Sequence, residues 1–485
     1  MSVIIDLEKV FYSYRGGKKW ALEDISLQIE RGEILAVMGG NGAGKTTLCR
    51  LFNGIIPNIF AGRFLGNVTV DGENTRDAQV PRLALKVGMV LDDPDAQLFT
   101  SSVREETAFG PENLLLQPSE IIERINFALS AAGLCGFEDR SPSTLSGGEK
   151  QRLVIASALA MGGKILVLDE PLSRLDPQGA EEVISVLRDL REKYQITVIM
   201  ATHDSKSASI LADRICVLKN GRVAACDTAE NIFANSALLE ENGIQQKGGA
   251  DIEKVFSVKS KSDIQQTLAV KITDFCYFFE DADVSIENIN LTVADNDFIA
   301  IIGKNGCGKT TLLKSITGLL RPSSGDIFIR GKNSKELSVS GISREIGFVM
   351  QNPDSQLFTD SVFNEVSFAL KNAELSGAEI QKRVQDALAA VGLTDTDAFP
   401  HALRRADRTK VVIASVIAMG CKILIFDEVD VGQDWQGCIH IMNIAKELHS
   451  KGYTIIFVTH NMSLVCDYAV RLAVMSRSGI VQYEK

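Results

Sequence analysis

Two glycine-rich loops, one in each half of the chain, carry residue types suited to binding phosphate. Residues 39–46 read Gly-Gly-Asn-Gly-Ala-Gly-Lys-Thr, and residues 303–310 read Gly-Lys-Asn-Gly-Cys-Gly-Lys-Thr. Glycines let backbone N–H groups wrap around phosphates, Lys45 and Lys309 neutralise their charge, and the following threonine hydroxyl reaches Mg²⁺. A glycine-rich turn with a solvated lysine is the alternative for one copy, and the second copy makes it negligible. The sequence therefore predicts two phosphate-binding loops.

A pair of acids follows an apolar run in each half, as Asp169-Glu170 and as Asp427-Glu428. Neighbouring carboxylates at the end of a buried strand repel each other unless a cation or a proton intervenes. We interpret each Asp as a Mg²⁺ ligand and each Glu as the base that polarises an attacking water. Alone, Asp-Glu after an apolar run is more often a plain strand end, but the phosphate loops favour the functional interpretation.

The stretch Leu145-Ser146-Gly147-Gly148 occurs once, whereas the other motifs occur twice. Its serine hydroxyl, its unobstructed backbone N–H groups and the positive end of the following helix suit an anion such as a terminal phosphate. The aligned residues in the second half are Leu403-Arg404-Arg405-Ala406, which lack both the hydroxyl and the backbone clearance of two glycines. The two halves therefore differ at this motif.

Leu-Ser-Gly-Gly is the signature of ABC-type ATPases, and the chain resembles that family over almost its whole length. The resemblance implies an α/β fold made twice, as two tandem P-loop ATPase domains. Each is expected to have a mainly parallel sheet core, an antiparallel β edge and a helical subdomain. The resemblance also implies ATP and Mg²⁺ as cofactors and ATP hydrolysis coupled to transmembrane transport.

The resemblance assigns roles to individual residues. His203 and His460 match the switch histidine that contacts the γ-phosphate, while the other three of the five histidines, His401, His440 and His449, are interpreted as structural. The catalytic residues implied are Glu428, His460, Glu170 and His203. The metal ligands implied are Thr46, Asp169, Thr310, Gln351 and Asp427. The nucleotide-binding residues implied are Gly39, Asn41, Gly42, Gly44, Lys45, Thr46, Thr47, Gly303, Asn305, Gly306, Gly308, Lys309, Thr310, Thr311, Gln351, Ser146, Gly147, Gly148, Tyr14 and Tyr277. The two tyrosines, expected just ahead of the first strand pair, resemble the aromatic that stacks on adenine.

In ABC ATPases the signature of one domain closes over nucleotide held by another. One composite site then combines the second phosphate loop and Gln351 with Ser146 and is complete. The other combines the first phosphate loop with Arg404, and it has Asp92 at the position of Gln351. The contact loop after the acids, residues 173–176 in the first half, keeps only its Asp in the second. These departures fall at one site, which predicts one hydrolytic site and one weak or regulatory site.

Asp92 and Arg404 or Arg405 fall on opposite walls of that degenerate site. We hypothesise an ion pair between them across the closed interface, with a small contribution if solvent reaches it. The alternative to an ion pair is sequence drift at a site released from selection, and it explains these residues at least as well.

The repeat predicts a first domain over 1–244, a linker over 245–266 and a second domain over 267–485. Buried strands are predicted at Ile34–Met38, Ile165–Leu168, Thr197–Met200, Phe298–Ile302, Ile423–Phe426 and Thr454–Val458. Helical spacing over Val103–Leu134 and Val362–Val391 predicts the two helical subdomains.

Composition narrows the function classes. The chain is 45% hydrophobic and 23% charged, with a net charge of −11, which disfavours broad contact with nucleic acid. No apolar run is long enough to span a membrane, so we expect a cytoplasmic protein. The nine cysteines include no C-x-x-C pair, which argues against a disulfide framework, a zinc site or an iron–sulfur cluster.

The segments Asp93–Phe99 and Asn352–Phe358 resemble the Pro-Asp-x-Gln segment of ATPases from energy-coupling factor (ECF) importers of cobalt and vitamins. That resemblance implies docking of a transmembrane coupling subunit near Asp95 and Asp354, together with a substrate-binding membrane subunit, on the cytoplasmic face of the membrane. A proline-started helix with an acid in its first turn is the alternative.

A soluble twin-ABC ATPase acting on the ribosome or on nucleic acid is the second function class. Such proteins typically carry a long charged linker, a zinc insertion or a cysteine-rich cluster, and this chain has a short linker and scattered cysteines. Export ATPases usually bring their own transmembrane segments. The sequence leaves the transported substrate open.

Overall fold

The computed structural model describes residues 2–17, 19–246, 255–258, 267–279, 285–372 and 375–485. The chain divides into two compact units, Met1–Gly248 (unit 1) and Gly249–Lys485 (unit 2). Of the predicted linker, residues 247–254 and 259–266 lie outside the described residues. Within it, Phe256 is buried in the core of unit 2, and a short strand at 257–258 pairs with the last strand of the chain.

Unit 1 contains a sheet covered by helices and a second, antiparallel sheet. Its strands are β1 Val3–Tyr14, β2 Leu22–Glu30, β3 Ile34–Met38, β4 Gly62–Val70, β5 Glu73–Asn74, β6 Val87–Val90, β7 Ile165–Asp169, β8 Thr197–Ala201, β9 Arg214–Lys219 and β10 Arg222–Thr228. Its helices are α1 Lys45–Phe52, α2 Ile55–Asn58, α3 Val80–Ala84, α4 Val103–Asn113, α5 Pro118–Ala131, α6 Gly147–Ala160, α7 Pro177–Tyr194, α8 Ser205–Leu211, α9 Ala229–Ala234 and α10 Ser236–Glu241.

Unit 2 repeats this arrangement. Its strands are β11 Ser257–Val258, β12 Leu268–Phe278, β13 Ser285–Ala294, β14 Phe298–Ile302, β15 Ser324–Ile329, β16 Lys332–Asn333, β17 Ile346–Val349, β18 Ile423–Asp427, β19 Thr454–Val458, β20 Arg471–Ser476 and β21 Gly479–Glu484. Its helices are α11 Lys309–Ile316, α12 Val339–Ser343, α13 Val362–Lys371, α14 Gly377–Val391, α15 Arg405–Met419, α16 Trp435–Ser450 and α17 Met462–Tyr468.

The central sheets confirm the predicted mainly parallel core with an antiparallel edge. The strand order is β10-β9-β3-β8-β7-β6 in unit 1 and β11-β21-β20-β14-β19-β18-β17 in unit 2. The β9–β10 and β20–β21 pairs are antiparallel, and the interior pairs are parallel. All residues of β3, β7 and β8 are buried, because helices and the second sheet cover both faces. Parallel strands bring their carboxyl ends to one edge, where the loops that carry the motifs begin.

The helical subdomains form where helical spacing predicts them, but each predicted stretch contains two helices. In unit 1, α4 and α5 are separated by residues 114–117, and Pro118 begins α5. Both α4 and α5 pack against α6 through apolar side chains such as Leu129 and Leu153. The start of α6 is therefore held by the subdomain, and the phosphate loop is held by the sheet.

Among the described residues, no helix is long and apolar enough to cross a membrane.

Candidate nucleotide sites of the two units

The phosphate loop of unit 1 joins β3 to α1 through positions that only glycine fits. A Cβ on Gly39 would lie 2.2 Å from the carbonyl oxygen of Leu218, and one on Gly44, whose φ is 107°, would lie 2.9 Å from that of Ala21. The buried Lys45 ammonium donates hydrogen bonds to the Gly39 and Gly40 carbonyls at 2.9 and 3.4 Å. The carbonyls of the loop therefore hold the Lys45 ammonium in place.

The phosphate loop of unit 2 has the same construction. Lys309 is buried, and its ammonium donates to the Gly303 and Lys304 carbonyls at 2.9 and 3.2 Å. Gly308 has φ 101° and precedes α11, as Gly44 precedes α1. Both predicted loops are therefore present as strand–loop–helix turns.

In unit 2, the acid, histidine and glutamine predicted for catalysis converge on one carboxylate. Glu428 Oε2 accepts a hydrogen bond from Gln351 Nε2 at 3.0 Å, and its Oε1 lies 3.2 Å from His460 Nε2 and 3.9 Å from Lys309 Nζ. Burial raises the pKa of Glu428, but the His460 hydrogen bond and the charges of His460 and Lys309 outweigh it, so the pKa is lowered overall. The carboxylate form is favoured there, with lone pairs available to a water.

In unit 1, the corresponding carboxylate is bonded by a backbone N–H, and the position that matches Gln351 is Asp92. Glu170 Oε2 accepts from the backbone N–H of His203 at 3.2 Å, and its Oε1 lies 3.4 Å from His203 Nε2. The His203 ring is also 2.9 Å from Lys45 Nζ and 3.1 Å from Asn41 Oδ1. Burial raises the pKa of Glu170 to about 7, while burial and the Lys45 charge lower the pKa of His203 to about 3. In both units the Glu, the His and the phosphate-loop Lys lie together, with different electrostatics.

The unique signature begins α6 as a capped helix. Ser146 Oγ accepts from the Glu149 N–H at 3.3 Å, and the Ser146 N–H donates to Glu149 Oε2 at 2.7 Å, which forms a capping box. The serine O–H remains able to donate. A Cβ on Gly148 would lie 3.0 Å from the Cα of Gly179 in α7, so the second glycine is needed for close packing of the two helices.

The degenerate signature begins α15 without a side-chain cap. Arg404 is the exposed residue before the helix and makes no capping bond. Arg405 instead folds into unit 2, where its Nη2 donates to the Gln351 carbonyl at 3.2 Å. Its guanidinium lies 3.3 Å from the position that a Cβ on Gly432 would occupy. Arg405 therefore connects the start of α15 to the Gln351 loop of its own unit.

Comparison with known proteins decides the family. The family described as ABC transporter matches residues 22–173 and 286–430. The chain belongs to the ABC transporter family of ATP-binding proteins. Its two ABC ATPase domains make it an ATPase.

Two relatives match the ABC ATPase over almost its whole length. A protein of Methanosarcina mazei, provisionally named an ABC transporter ATP-binding protein, is 36% identical over 99% of this chain and 88% of its own length. A similarly named protein of Caldanaerobacter subterraneus subsp. tengcongensis is 35% identical over 96% of this chain and 88% of its own length. A solved structure described as cbiO1 from Clostridium perfringens, part of the ABC transporter complex cbiONQ, is 35% identical. The match covers 50% of this chain and 94% of the chain in the solved structure, with a TM-score of 0.45.

The carboxylates predicted to bind metal in the ABC ATPase fit a divalent cation. Burial and the neighbouring Glu428 raise the pKa of Asp427 to about 6, and Thr310 Oγ1 donates to its Oδ1 at 3.5 Å. Burial also raises the pKa of Asp169, and Asp92 adds to that effect while Thr46 opposes it. A buried acid beside a threonine hydroxyl is a donor set that Mg²⁺ prefers, and a bound cation would favour the ionised form.

The tyrosines predicted to stack on adenine do not precede the first strands, and that part of the prediction is wrong. Tyr14 is the last residue of β1 and Tyr277 lies within β12, because each strand extends to the turn before its partner. The Tyr14 hydroxyl lies 3.0 Å from Thr47 Oγ1. A cavity of about 460 Å³ beside Tyr14 is lined in part by Trp20 and Arg63.

The acids predicted to meet a membrane partner are paired within their own units. Asp95 Oδ1 accepts from Lys150 Nζ at 2.7 Å. The two oxygens of Asp354 accept from Arg408 Nη1 at 2.6 and 2.7 Å, and Asp354 Oδ1 lies 3.5 Å from His401 Nδ1. Both cations lie in the first turns of the helices that follow the signatures.

Asp430 is a residue of the site that sequence reasoning missed. It lies two residues after Glu428 and is partly buried, and its Oδ2 accepts from Thr459 Oγ1 at 2.6 Å, which links the Glu428 loop to the residue before His460. Burial raises the pKa of Asp430 to about 6. Unit 1 has Leu172 at this position. The available signal was that this position is acidic in one copy and apolar in the other.

Proposed function

We propose that the chain powers an importer of the ECF type, which takes up a vitamin, a vitamin precursor or a transition-metal ion. A separate membrane subunit binds the substrate, and a transmembrane coupling subunit docks on the two ATPase domains. The observation that carries the proposal is a pair of exposed phenylalanines that recurs beside the Pro-Asp-x-Gln segment in both units.

The Phe99 patch consists of Phe99 and Phe109, and the Phe358 patch consists of Phe358 and Phe368. Phe99 and Phe358 are 66% and 64% exposed, and each meets its partner ring edge-on at 4.8 and 4.6 Å between centroids. Exposed aromatic side chains that recur at corresponding positions favour a binding surface over chance exposure.

Each patch sits on a braced loop rather than a loose one. Glu106 Oε2 accepts from the N–H groups of Phe99 and Thr100 at 3.1 and 3.0 Å, and the matching Glu365 does the same for Phe358 and Thr359 at 3.0 and 2.8 Å. A buried carboxylate that holds two backbone donors fixes the loop. A fixed aromatic surface binds a partner at a lower entropic cost.

The glutamines of the Pro-Asp-x-Gln segments tie the patches to the nucleotide loops. Gln356 accepts from the Met350 N–H at 2.8 Å and donates to the Phe348 carbonyl at 2.9 Å. Gln97 makes the same two bonds to Leu91 and Met89 at 2.7 and 3.3 Å. A displacement of Gln351 during hydrolysis is thereby passed to the Phe358 patch, which is the coupling that an importer requires.

We assign hydrolysis to a composite site made by the unit 2 phosphate loop and the signature of unit 1. Bound Mg²⁺ would neutralise charge on the phosphates. Lys309 binds the β- and γ-phosphates, Glu428 accepts a proton from the attacking water, and Gln351 and His460 orient Glu428. Ser146 and the α6 N-terminus bind the γ-phosphate from the other side. Closure on ATP and reopening after hydrolysis would move the membrane subunit.

A pull-down from the organism's own membranes tests this function. Tagged wild-type chain in mild detergent should co-purify a helical membrane subunit and a substrate-binding membrane protein, identified by mass spectrometry. The double variant Phe99→Ser/Phe358→Ser should recover about tenfold less of both, while its basal ATPase rate stays unchanged.

Phe278→Ser is the matched control, because Phe278 is 55% exposed and lies outside both patches. It should recover the membrane subunits as the wild type does. Recovery of ribosomal proteins in place of membrane proteins would overturn the importer and support the soluble twin-ATPase. Equal recovery by the double variant would overturn the assignment of the patches.

A further inference from the structure

Two cysteines that look isolated in the sequence face each other across the edge of the unit 1 sheet. Cys216 in β9 and Cys226 in β10 are direct partners in an antiparallel pair. Such partners have Cα atoms about 4.5–5.5 Å apart with side chains on one face. That separation is within the range of about 4.4–6.8 Å that a disulfide requires. A bond between the two sulfurs therefore needs little movement of the backbone.

The two thiols differ in exposure and in charge. Cys216 is fully buried, whereas Cys226 is partly exposed. Arg214 Nη2 lies 3.2 Å from Cys226 Sγ, and the same guanidinium contacts Glu33 Oε1 at 3.1 Å and the Gln28 carbonyl at 3.2 Å. A partly exposed cysteine beside a guanidinium that is held by other contacts is the environment in which a thiolate forms.

The titration of Cys226 agrees with this geometry. The hydrogen bond from Cys216 lowers its pKa most, burial raises it, the Arg214 charge and hydrogen bond lower it, and Glu33 raises it, with a net pKa of about 7. The pKa of Cys216 is raised, first because it donates to Cys226 and then because it is buried. Cys226 is thus the attacking sulfur and Cys216 the resolving one.

The other unit and the other cysteines show that this pair is not demanded by the fold. The matching strands of unit 2 pair Ala473 with Gln482. Burial raises the pKa of the four other buried thiols, Cys49, Cys307, Cys421 and Cys438. Cys135 is exposed.

We propose that Cys226 and Cys216 form a reversible thiol–disulfide site that reacts with small-molecule disulfides such as glutathione disulfide. The Cys226 thiolate attacks one sulfur of glutathione disulfide, and one glutathione thiolate leaves. Cys216 then loses its proton and attacks Cys226 Sγ, which releases the second glutathione. The two cysteines are oxidised by two electrons, and the glutathione disulfide is reduced to two thiols.

The site lies on a hairpin that contacts the phosphate loop of unit 1. The Gly221 N–H, at the β9–β10 turn, donates to the Ala43 carbonyl at 2.9 Å. The Leu218 carbonyl, two residues from Cys216, is the atom against which Gly39 packs. A crosslink between β9 and β10 therefore restrains the strand that supports this loop, and nucleotide affinity at the unit 1 site is a second readout.

The test uses the full chain treated with glutathione disulfide, quenched with iodoacetamide and analysed by peptide mass spectrometry. The wild type should yield a Cys216–Cys226 crosslinked peptide, formed about five- to tenfold faster than the adduct at Cys135. Cys216→Ala should stop at a stable mixed disulfide on Cys226, and Cys226→Ser should leave Cys216 unmodified. Dithiothreitol should restore both thiols.

Arg214→Gln should slow the reaction of Cys226 and move its alkylation midpoint above pH 7, while Arg214→Lys should restore part of the rate. A glutathione adduct that persists on Cys226 in the wild type would overturn the resolving role of Cys216. Reaction of Cys226 no faster than that of Cys135 would overturn the site itself.

Discussion

The surroundings of Glu170 and Glu428 have the same backbone conformation and differ in the groups that donate hydrogen bonds to each carboxylate. Glu170 and Glu428 have φ values of 50° and 48°, and both lie beside a histidine and the phosphate-loop lysine. Glu428 receives a side-chain amide hydrogen bond from Gln351, and the matching position in unit 1 is Asp92, whose side chain has no amide to donate. The pKa of Glu428 is lowered and that of Glu170 is raised. Burial dominates at Glu170, whereas the contacts with His460 and Lys309 outweigh it at Glu428, so the two sites differ electrostatically while the fold stays the same.

The largest expected effect comes from replacing Glu428 and Glu170, the two proposed bases, in turn. Glu428→Gln should lower steady-state ATP hydrolysis at least about 100-fold, because an amide cannot accept a proton from water. Glu170→Gln should lower it less than about threefold. Phosphate release at saturating ATP measures both. Lys309→Ala should likewise be more damaging than Lys45→Ala, and equal losses from the paired variants would contradict the asymmetric assignment.

Exchanging the residues at positions 351 and 92 tests the donor directly. Gln351→Asp should lower kcat about tenfold, because it removes a hydrogen bond to the Glu428 carboxylate and adds a negative charge beside it. Asp92→Gln should change kcat less than about twofold, since unit 1 still faces the degenerate signature. If Asp92→Gln raised the rate severalfold, the side chain at position 92 alone would account for the difference between the units.

Asp430 sharpens the comparison, since Leu172 replaces it in unit 1. Asp430→Leu should lower kcat about threefold to tenfold with a smaller change in KM, because the Thr459 hydroxyl loses its acceptor and the loop before His460 loosens. Asp430→Asn retains an acceptor and should keep most of the rate. Thr459→Val combined with Asp430→Leu should add little to either single variant, and additive losses would place the effect elsewhere.

The smallest expected effect concerns the ion pair hypothesised between Asp92 and Arg404. A double-mutant cycle with Asp92→Asn and Arg404→Ala, measured as the ATP dependence of closure, should give a coupling below about 1 kcal/mol. The coupling should decrease as salt is raised. A coupling of zero at low salt would show that the pair does not form.

The buried strands and the phosphate loops could be predicted from the sequence because their signals are local. Continuous apolar runs set the bounds of Ile34–Met38, Phe298–Ile302 and Thr454–Val458, and these are the observed strands. The break inside Val103–Leu134 was not predicted, because apolar spacing continues across the turn and only Pro118 marks the second helix start.

The interactions between distant loops could not be predicted in the same way. The bond from Gln351 to Glu428, the inward fold of Arg405 and the bond from Thr459 to Asp430 each depend on tertiary placement. The Cys216–Cys226 contact depends on the register of two strands, and a shift of one residue would separate the sulfurs onto opposite faces. Residue types indicated the chemistry of the site, but the hydrogen-bond and contact partners of each residue depend on the fold.

The recurrence of the Phe99 and Phe358 patches in one polypeptide makes the chain bivalent for the proposed membrane partner. Once one patch is bound, the second binds intramolecularly, at an effective concentration set by the connection between the two patches. Two weak docking contacts can then give a long residence time, and either can release and rebind during a cycle without loss of the complex. Avidity would thus let each contact stay loose enough to move.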